Sequence, residues 1–258
     1  MYSNTKPHVP SQPVFLQADW PAPKNVKTLI TTRLHGASLA PYASFNLAFH
    51  TGDNKYHVQK NRSVLQKHVP VPIVYLDQIH SNRIVLAHND LLNRPAKADG
   101  LMDRSGHFAC GILTADCLPI FLCDQKGDSV AVVHAGWRGL AQGILENAIK
   151  MLGNTSQSLM AFLGPAISQE EFPVGKEVRK LFLSKQLSIY SLNSFFLPIT
   201  SEKYLMDLKG IAREILKFHE IEIYSSAYCT AKDNTYFYSY RKEMQTGRLA
   251  SVIWLENN

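Results

Sequence analysis

Residues 118–139 read LPIFLCDQKGDSVAVVHAGWRG, and this stretch decides the fold class. Two apolar runs, 118–123 and 129–133, flank the polar turn DQKGD at 124–128. Nearly unbroken apolar runs of this length suit strands covered on both faces. The second run passes straight into His134-Ala135-Gly136-Trp137-Arg138-Gly139 and then into an amphipathic helix. In that helix Leu140, Ile144, Leu145, Ala148, Ile149 and Leu152 fall on one stripe.

Working outward, 107–113 is a further apolar run, joined to 118–123 by the polar step Thr114-Ala115-Asp116-Cys117. Residues 26–32 (VKTLITT) read as a strand, and 36–46 (GASLAPYASFN) as a loop rich in turn formers. A helix follows Asp53 and continues through Val58, Arg62 and Leu65 to His68, where Pro70 and Pro72 stop it. Residues 73–76 are a short strand ending in the polar run DQIHSN, and 159–163 are a buried strand closed by Gly164-Pro165. Leu205, Leu208, Ile211, Ala212, Ile215 and Leu216 recur at helical spacing, and strands near 221–228 and 248–255 follow. Strands and helices alternate without the strict period of a βα barrel. The expectation is an α/β fold: a single-domain, layered, mixed-sheet α/β sandwich.

At 258 residues, with 45% apolar and 19% charged side chains, the chain has material for one large core. Residues 1–13 read as a flexible N-terminal tail and 14–258 as one catalytic domain. No stretch of about 18 apolar residues exists, so no membrane span is expected. The start, MYSNTKPHVPSQP, lacks an apolar signal region. Net charge is +6, but the Lys and Arg residues are scattered, which points away from nucleic acid and toward a general field that draws in anions. Cys110, Cys117, Cys123 and Cys229 are too few for a disulfide scaffold, so reduced thiols in a cytoplasm are expected.

Three groups stand where apolar strands end and side chains leave the core: His80, Cys117 and His134. Alone, a cysteine between apolar runs packs as a small hydrophobe, and a histidine after a strand is a hydrogen-bonded core residue. The separations, 37 and 17 residues (117 − 80 and 134 − 117), match no local zinc-finger spacing. Local chemistry argues the other way. TADC sets Asp116 beside a thiol on a tight polar turn, and HAGWRG sets a His, a Trp and an Arg at a helix entrance with two glycines that permit close backbone approach. A helix start also offers orphan N–H groups to an anion such as phosphate. Two imidazoles and a thiolate would leave a fourth tetrahedral position open, as in a catalytic zinc, with copper the softer competitor. P-loops, GxSxG elbows and the zinc-deaminase signature are missing. Asn46 and the pair Asn61-Arg62 suit a sugar or phosphate, although a turn and a solvated helix face explain them equally. Late in the chain, YCT…FYSYRKEMQTGR combines aromatics with Arg241 and Arg248, and Cys229 reads as buried.

QIH at 78–80, ADG at 98–100, TADCLP at 114–119, HAGWRG at 134–139, GPAI at 164–167 and FYSYR…TGR at 237–248 occur in this order. Together they resemble the YfiH family, also called the multicopper polyphenol oxidoreductase or laccase-like family, from about Thr31 to Leu255. The resemblance implies a layered α/β sandwich distantly like a bacterial deamidating toxin domain. It also implies one zinc (or copper) on His80, Cys117 and His134. The activities it implies are phosphorolysis of adenosine, inosine, guanosine or methylthioadenosine, and deamination of adenosine. On that reading Cys117, Asp116 and Arg62 are catalytic, Asp116 orienting a ligand or shuttling a proton, while Asn46, Arg62 and Arg138 bind nucleoside and phosphate. The chain departs from the family pattern at Gly36-Ala37, at Asn46-Leu47-Ala48, and at Glu171-Phe172-Pro173-Val174-Gly175, where a Cys and a Glu are usual. Two other chemistries stand beside this one: a metal-free hydrolase or amidase with Cys117 as nucleophile and His134 as base, and copper-dependent oxidation of phenols.

Overall fold

Side chains alternate along the central strands, and the two faces feed different cores. In the computed structural model, which describes residues 15–153, 159–184 and 187–256, the strands gather into three sheets. The tail expected at 1–13 lies outside the described residues. A five-stranded sheet holds β1 (Phe15–Leu16), β2 (Val26–Thr31), β3 (Ile73–Val74), β6 (Ala109–Thr114) and β14 (Leu249–Leu255), in the order β1-β2-β14-β6-β3. A six-stranded sheet holds β4 (Ile84–Leu86), β5 (Gly100–Asp103), β7 (Leu118–Asp124), β8 (Val130–Ala135), β9 (Leu159–Leu163) and β13 (Glu222–Ser225), in the order β13-β9-β7-β8-β5-β4. Both sheets are mixed: the pairs β3–β6, β4–β5 and β9–β13 are parallel and the others antiparallel. A small antiparallel sheet of β10 (Pro173–Gly175), β12 (Lys203–Met206) and β11 (Phe196–Pro198) sits beyond them.

On β7 and β8, Phe121, Cys123, Val130 and Val132 meet Ile30, Ile112, Phe162 and Ile253 in a core between the two large sheets. Leu118, Ile120, Leu122, Ala131, Val133 and Ala135 face the other way, onto helices. Those helices are α2 (Trp137–Ala141), α3 (Ile144–Leu152) and α5 (Leu208–Phe218), while α1 (Lys55–Gln66) covers the outer face of the five-stranded sheet through Leu65. The result is helix, sheet, sheet, helix in layers, and the mixed-sheet α/β sandwich is what the chain forms. Each fully buried Leu, Ile, Val or Phe contributes about 1.5–3 kcal/mol, so these two central strands carry a large share of the stability. Two short helices, α4 (Lys176–Phe182) and α6 (Tyr240–Glu243), complete the α-helices among the described residues. No helix among the described residues is long and apolar enough to cross a membrane.

The structure corrects the reading at three places. The single helix expected after HAGWRG is two, because Gly143 adopts φ +86°, a left-handed conformation that ends the five-residue α2 and restarts the chain as α3. A five-residue helix gives little macrodipole, so the anion site expected at its start loses that support. Leu205 belongs to β12 and not to the helix, which begins at Leu208 behind the Asp207 side chain, an N-cap that accepts from Gly210 N.

Candidate metal centre

Period-two alternation puts His134 in phase with Val130 and Val132, so its ring enters the space between the sheets at the end of β8. Pro119 of β7 lies opposite His134, and Cys117 precedes β7 on the same rim. The turn delivering Cys117 is tight: Asp116 has φ +86°, unusual for a residue with a Cβ. His80 comes from the loop that leaves β3 in one sheet and enters β4 in the other. The ligand atoms of His80, Cys117 and His134 all lie within 4.8 Å of one another, and the two imidazoles meet edge to face with centroids 4.8 Å apart. Among the described residues this is the one group of three or more such side chains close enough to share an ion.

Gly136 and Gly139 make room for it. A Cβ on Gly136 would stand 3.1 Å from Cys117 Sγ and 3.3 Å from His80 Cδ2, and one on Gly139 would stand 3.0 Å from the Ser81 carbonyl oxygen. His134 Nδ1 lies 2.8 Å from Asp99 Oδ1, which leaves Nε2 as the nitrogen for Cys117 and any ion. Burial alone would raise the Cys117 thiol, but the His134 charge, with hydrogen bonds to His134 and His80, brings it down to about 6. His134 responds in kind: burial pulls it down, yet the Cys117 thiolate and Asp99 push it up to about 9. Burial also opposes ionisation of Asp99, and hydrogen bonds to His134 and Ser81 overcome it, holding the carboxyl near 2. Without a metal the site is therefore a thiolate–imidazolium pair. Two nitrogens and one sulfur, gathered on one rim with the second His134 nitrogen turned to Cys117 and a thiol that ionises readily, fit zinc, which would displace the shared proton, and copper as a softer alternative.

The remaining sequence candidates occupy different places. Asp116 is buried, and both carboxylate oxygens are committed at 2.7 Å, one to the Thr230 hydroxyl and one to Arg241 N. It ties two loops to the Cys117 turn, where a ligand-orienting or proton-shuttling group was expected. Asn46 is fully buried: its amide donates to Ala48 O, Thr51 Oγ1 and Asp53 Oδ2, and its oxygen accepts from Ala48 N and Arg248 N. That amide has no edge to offer a nucleoside. Arg62 donates through Nε to Leu47 O, its guanidinium 4.5 Å from the Phe49 ring centroid and 4.1 Å from that of Tyr75, on the wall of a cavity of about 440 Å³. Arg138 is exposed and stacks on Trp137 at 4.3 Å.

Arg248 is drawn into the site as well. It is partly buried, which lowers its pKa, while Cys117, Tyr240 and Asp116 act in the opposite sense. His50 is likewise lowered by burial and then by Arg248 and Arg62, so a neutral imidazole is an electrostatic neighbour of the two guanidinium groups. Tyr240, with its ring centroid 5.6 Å from Arg248, is half exposed. Asp99 and His50 escaped the sequence reading as site residues: ADG entered only as one of the motifs carrying the resemblance, and His50 lies in no marked motif. Arg248 was visible only as part of an aromatic, basic segment.

A family model described as multi-copper polyphenol oxidoreductase laccase matches residues 27–256. The chain belongs to that family. Within it, a purine nucleoside phosphorylase of Pseudomonas aeruginosa is 39% identical over 245 residues, covering 94% of this chain and 99% of its own. The Escherichia coli purine nucleoside phosphorylase YfiH is 38% identical over 242 residues, covering 92% and 96%. Among solved structures, a Neisseria meningitidis protein superposes with a TM-score of 0.90 at 45% identity, covering 94% of this chain and 99% of its own. YlmD of Geobacillus stearothermophilus gives 0.87 at 25% identity, covering 94% and 96%. The laccase-family sandwich thus extends across the described core, with His80, Cys117 and His134 on its rim.

Proposed function

We propose that the chain is a metal-dependent purine nucleoside phosphorylase acting on adenosine, inosine, guanosine or methylthioadenosine, with adenosine deamination as a second activity. The observation that carries this is the convergence of His80, Cys117 and His134 on one rim, with Arg248 near enough to act on the Cys117 charge. The names of the curated relatives support the same reaction. His80, Cys117 and His134 hold the ion, zinc by preference and copper as the alternative. A metal there supplies Lewis acidity toward the nucleoside or toward water. Arg248 and Arg62 bind phosphate, and a guanidinium set against aromatic rings is preorganised for that task. A phosphate oxygen attacks C1′ as the bond to the purine breaks, and the base leaves with the bonding electrons. Tyr240 offers the purine a face to stack on beside Arg248. Asp116 and Asn46 act in support, Asp116 by fixing the turn and Asn46 by fixing the Arg248 backbone. Arg138, exposed on Trp137, meets substrate at the outer edge.

The test is product analysis with adenosine, with and without phosphate, beside elemental analysis. Adenine and ribose 1-phosphate formed only with phosphate, on protein holding about one zinc per chain, is the expected result. Inosine formed without phosphate reports the deaminase activity. The thiolate–imidazolium pair favours a second reading, a metal-free Cys117–His134 hydrolase or amidase oriented by Asp99. Activity on an amide that survives chelation and dies on alkylation would establish it in place of the first.

A further inference from the structure

Asp99 stands at the mouth of β5, opposite His134 of β8, and the backbones of the two are joined by a 2.7 Å bond from His134 N to Asp99 O. Its side chain is fully buried, yet it reaches two of the three metal-binding segments at once. One oxygen, Oδ1, takes the His134 ring nitrogen at 2.8 Å and His80 N at 3.0 Å. The other, Oδ2, takes Ile79 N at 3.2 Å, Ser81 N at 2.6 Å and the Ser81 hydroxyl at 2.8 Å. Three successive N–H groups converging on one carboxylate form a nest, which requires a turn of the chain through the left-handed region. His80 supplies that turn, with φ +59°.

We infer that Asp99 is the positioning residue of the metal centre: one carboxylate folds the 79–81 loop so that His80 meets Cys117 and His134, and fixes the nitrogen by which His134 binds. This rests on the metal-centre reading above and adds a residue to it. The chemistry is specific to a carboxylate. An Asn side chain has one acceptor oxygen, whereas both oxygens of Asp99 accept from donors. If the amide oxygen takes the Ser81 side of the nest, the NH₂ faces His80 N–H and the His134 nitrogen. His134 must then accept there, its proton moves to Nε2, and the nitrogen aimed at Cys117 loses the lone pair it would give a metal. With the amide flipped, the NH₂ opposes Ser81 and Ile79, and the loop carrying His80 opens.

The probe is Co²⁺ added to the full chain, read by its thiolate charge-transfer and d–d absorption, with affinity obtained by competition against a chelator. Asp99→Asn should fold with a circular-dichroism spectrum like the parent's, bind Co²⁺ roughly 10–100-fold more weakly, and show d–d bands altered in shape. Parental affinity and an unchanged d–d spectrum in Asp99→Asn would overturn the positioning role and leave the metal centre standing. A parent chain that binds neither Co²⁺ nor Zn²⁺ would overturn both. Should Asp99→Asn fail to fold, Ser81→Ala carries the test, because it deletes one bond to the same oxygen. A several-fold loss of affinity with the fold intact supports the role, and no loss overturns it.

Discussion

Cys117 owes its reactivity to its neighbours. Burial pushes a thiol up and the His134 charge brings this one to about 6, so in metal-stripped protein the thiolate appears as pH rises through that value. Alkylation by iodoacetamide, located at Cys117 by mass spectrometry, should climb through about pH 6 and then level off. In His134→Ala the burial penalty stands without its main opponent, and the half-point should move above the ordinary thiol value of about 8.5. A parent half-point already at the ordinary value would refute the pairing. Cys117→Ala should lose metal and reduce kcat/KM by more than the roughly 100-fold upper end seen for residues that only support a ligand. At Tyr240 the expected signature is different. Stacking on a purine is worth on the order of 1 kcal/mol, so Tyr240→Ala should raise nucleoside KM several-fold with kcat little changed, and Tyr240→Phe should restore it. Equal KM values in parent and Tyr240→Ala would remove Tyr240 from the nucleoside site.

The element that organises the site is the turn from β8 into α2, and glycine decides its shape. A methyl group on Gly136 intrudes to 3.1 Å from Cys117 Sγ, where the thiol has to give way. Gly136→Ala should therefore weaken Co²⁺ binding and turnover while the core, which lies on the other side of the turn, stays intact. Gly143→Ala provides the contrast. With φ +86° a Cβ there costs about 1–2 kcal/mol, so the free energy of chemical unfolding should fall by that amount with kinetics unchanged. Differences between such elements explain what the sequence disclosed. β7 and β8 are apolar on both faces and announce themselves, as does α5 with its long stripe. β4, β5 and the strands of the small sheet span three or four residues, too few for a period to show. Cys117 and His134 stood out because polar groups follow apolar strands there. Their approach to His80 depends on a loop crossing between sheets, and Asp99 works through a tertiary contact; sequence spacing encodes neither.

At the scale of the whole molecule, the site sits across the seam of the sandwich. His134 lies at the end of a strand of the six-stranded sheet, whereas Cys117 and His80 each lie on a connection arriving from the five-stranded one. An ion bound by all three is thus a cross-link between layers whose main other bond is the apolar core behind them. A ligand that binds only the folded chain stabilises it by RT ln(1 + [L]/Kd), about 2.7–4.1 kcal/mol for free metal at 100 to 1,000 times Kd. Chelation should lower the unfolding free energy by an amount in that range, and zinc should restore it. Cys117→Ala should unfold near the midpoint of the chelated parent and ignore added zinc, because its remaining imidazoles hold an ion less well. If chelation and re-addition leave the parent's midpoint unmoved, no metal ties the layers together, and the thiolate–imidazolium pair becomes the chemistry of the native site.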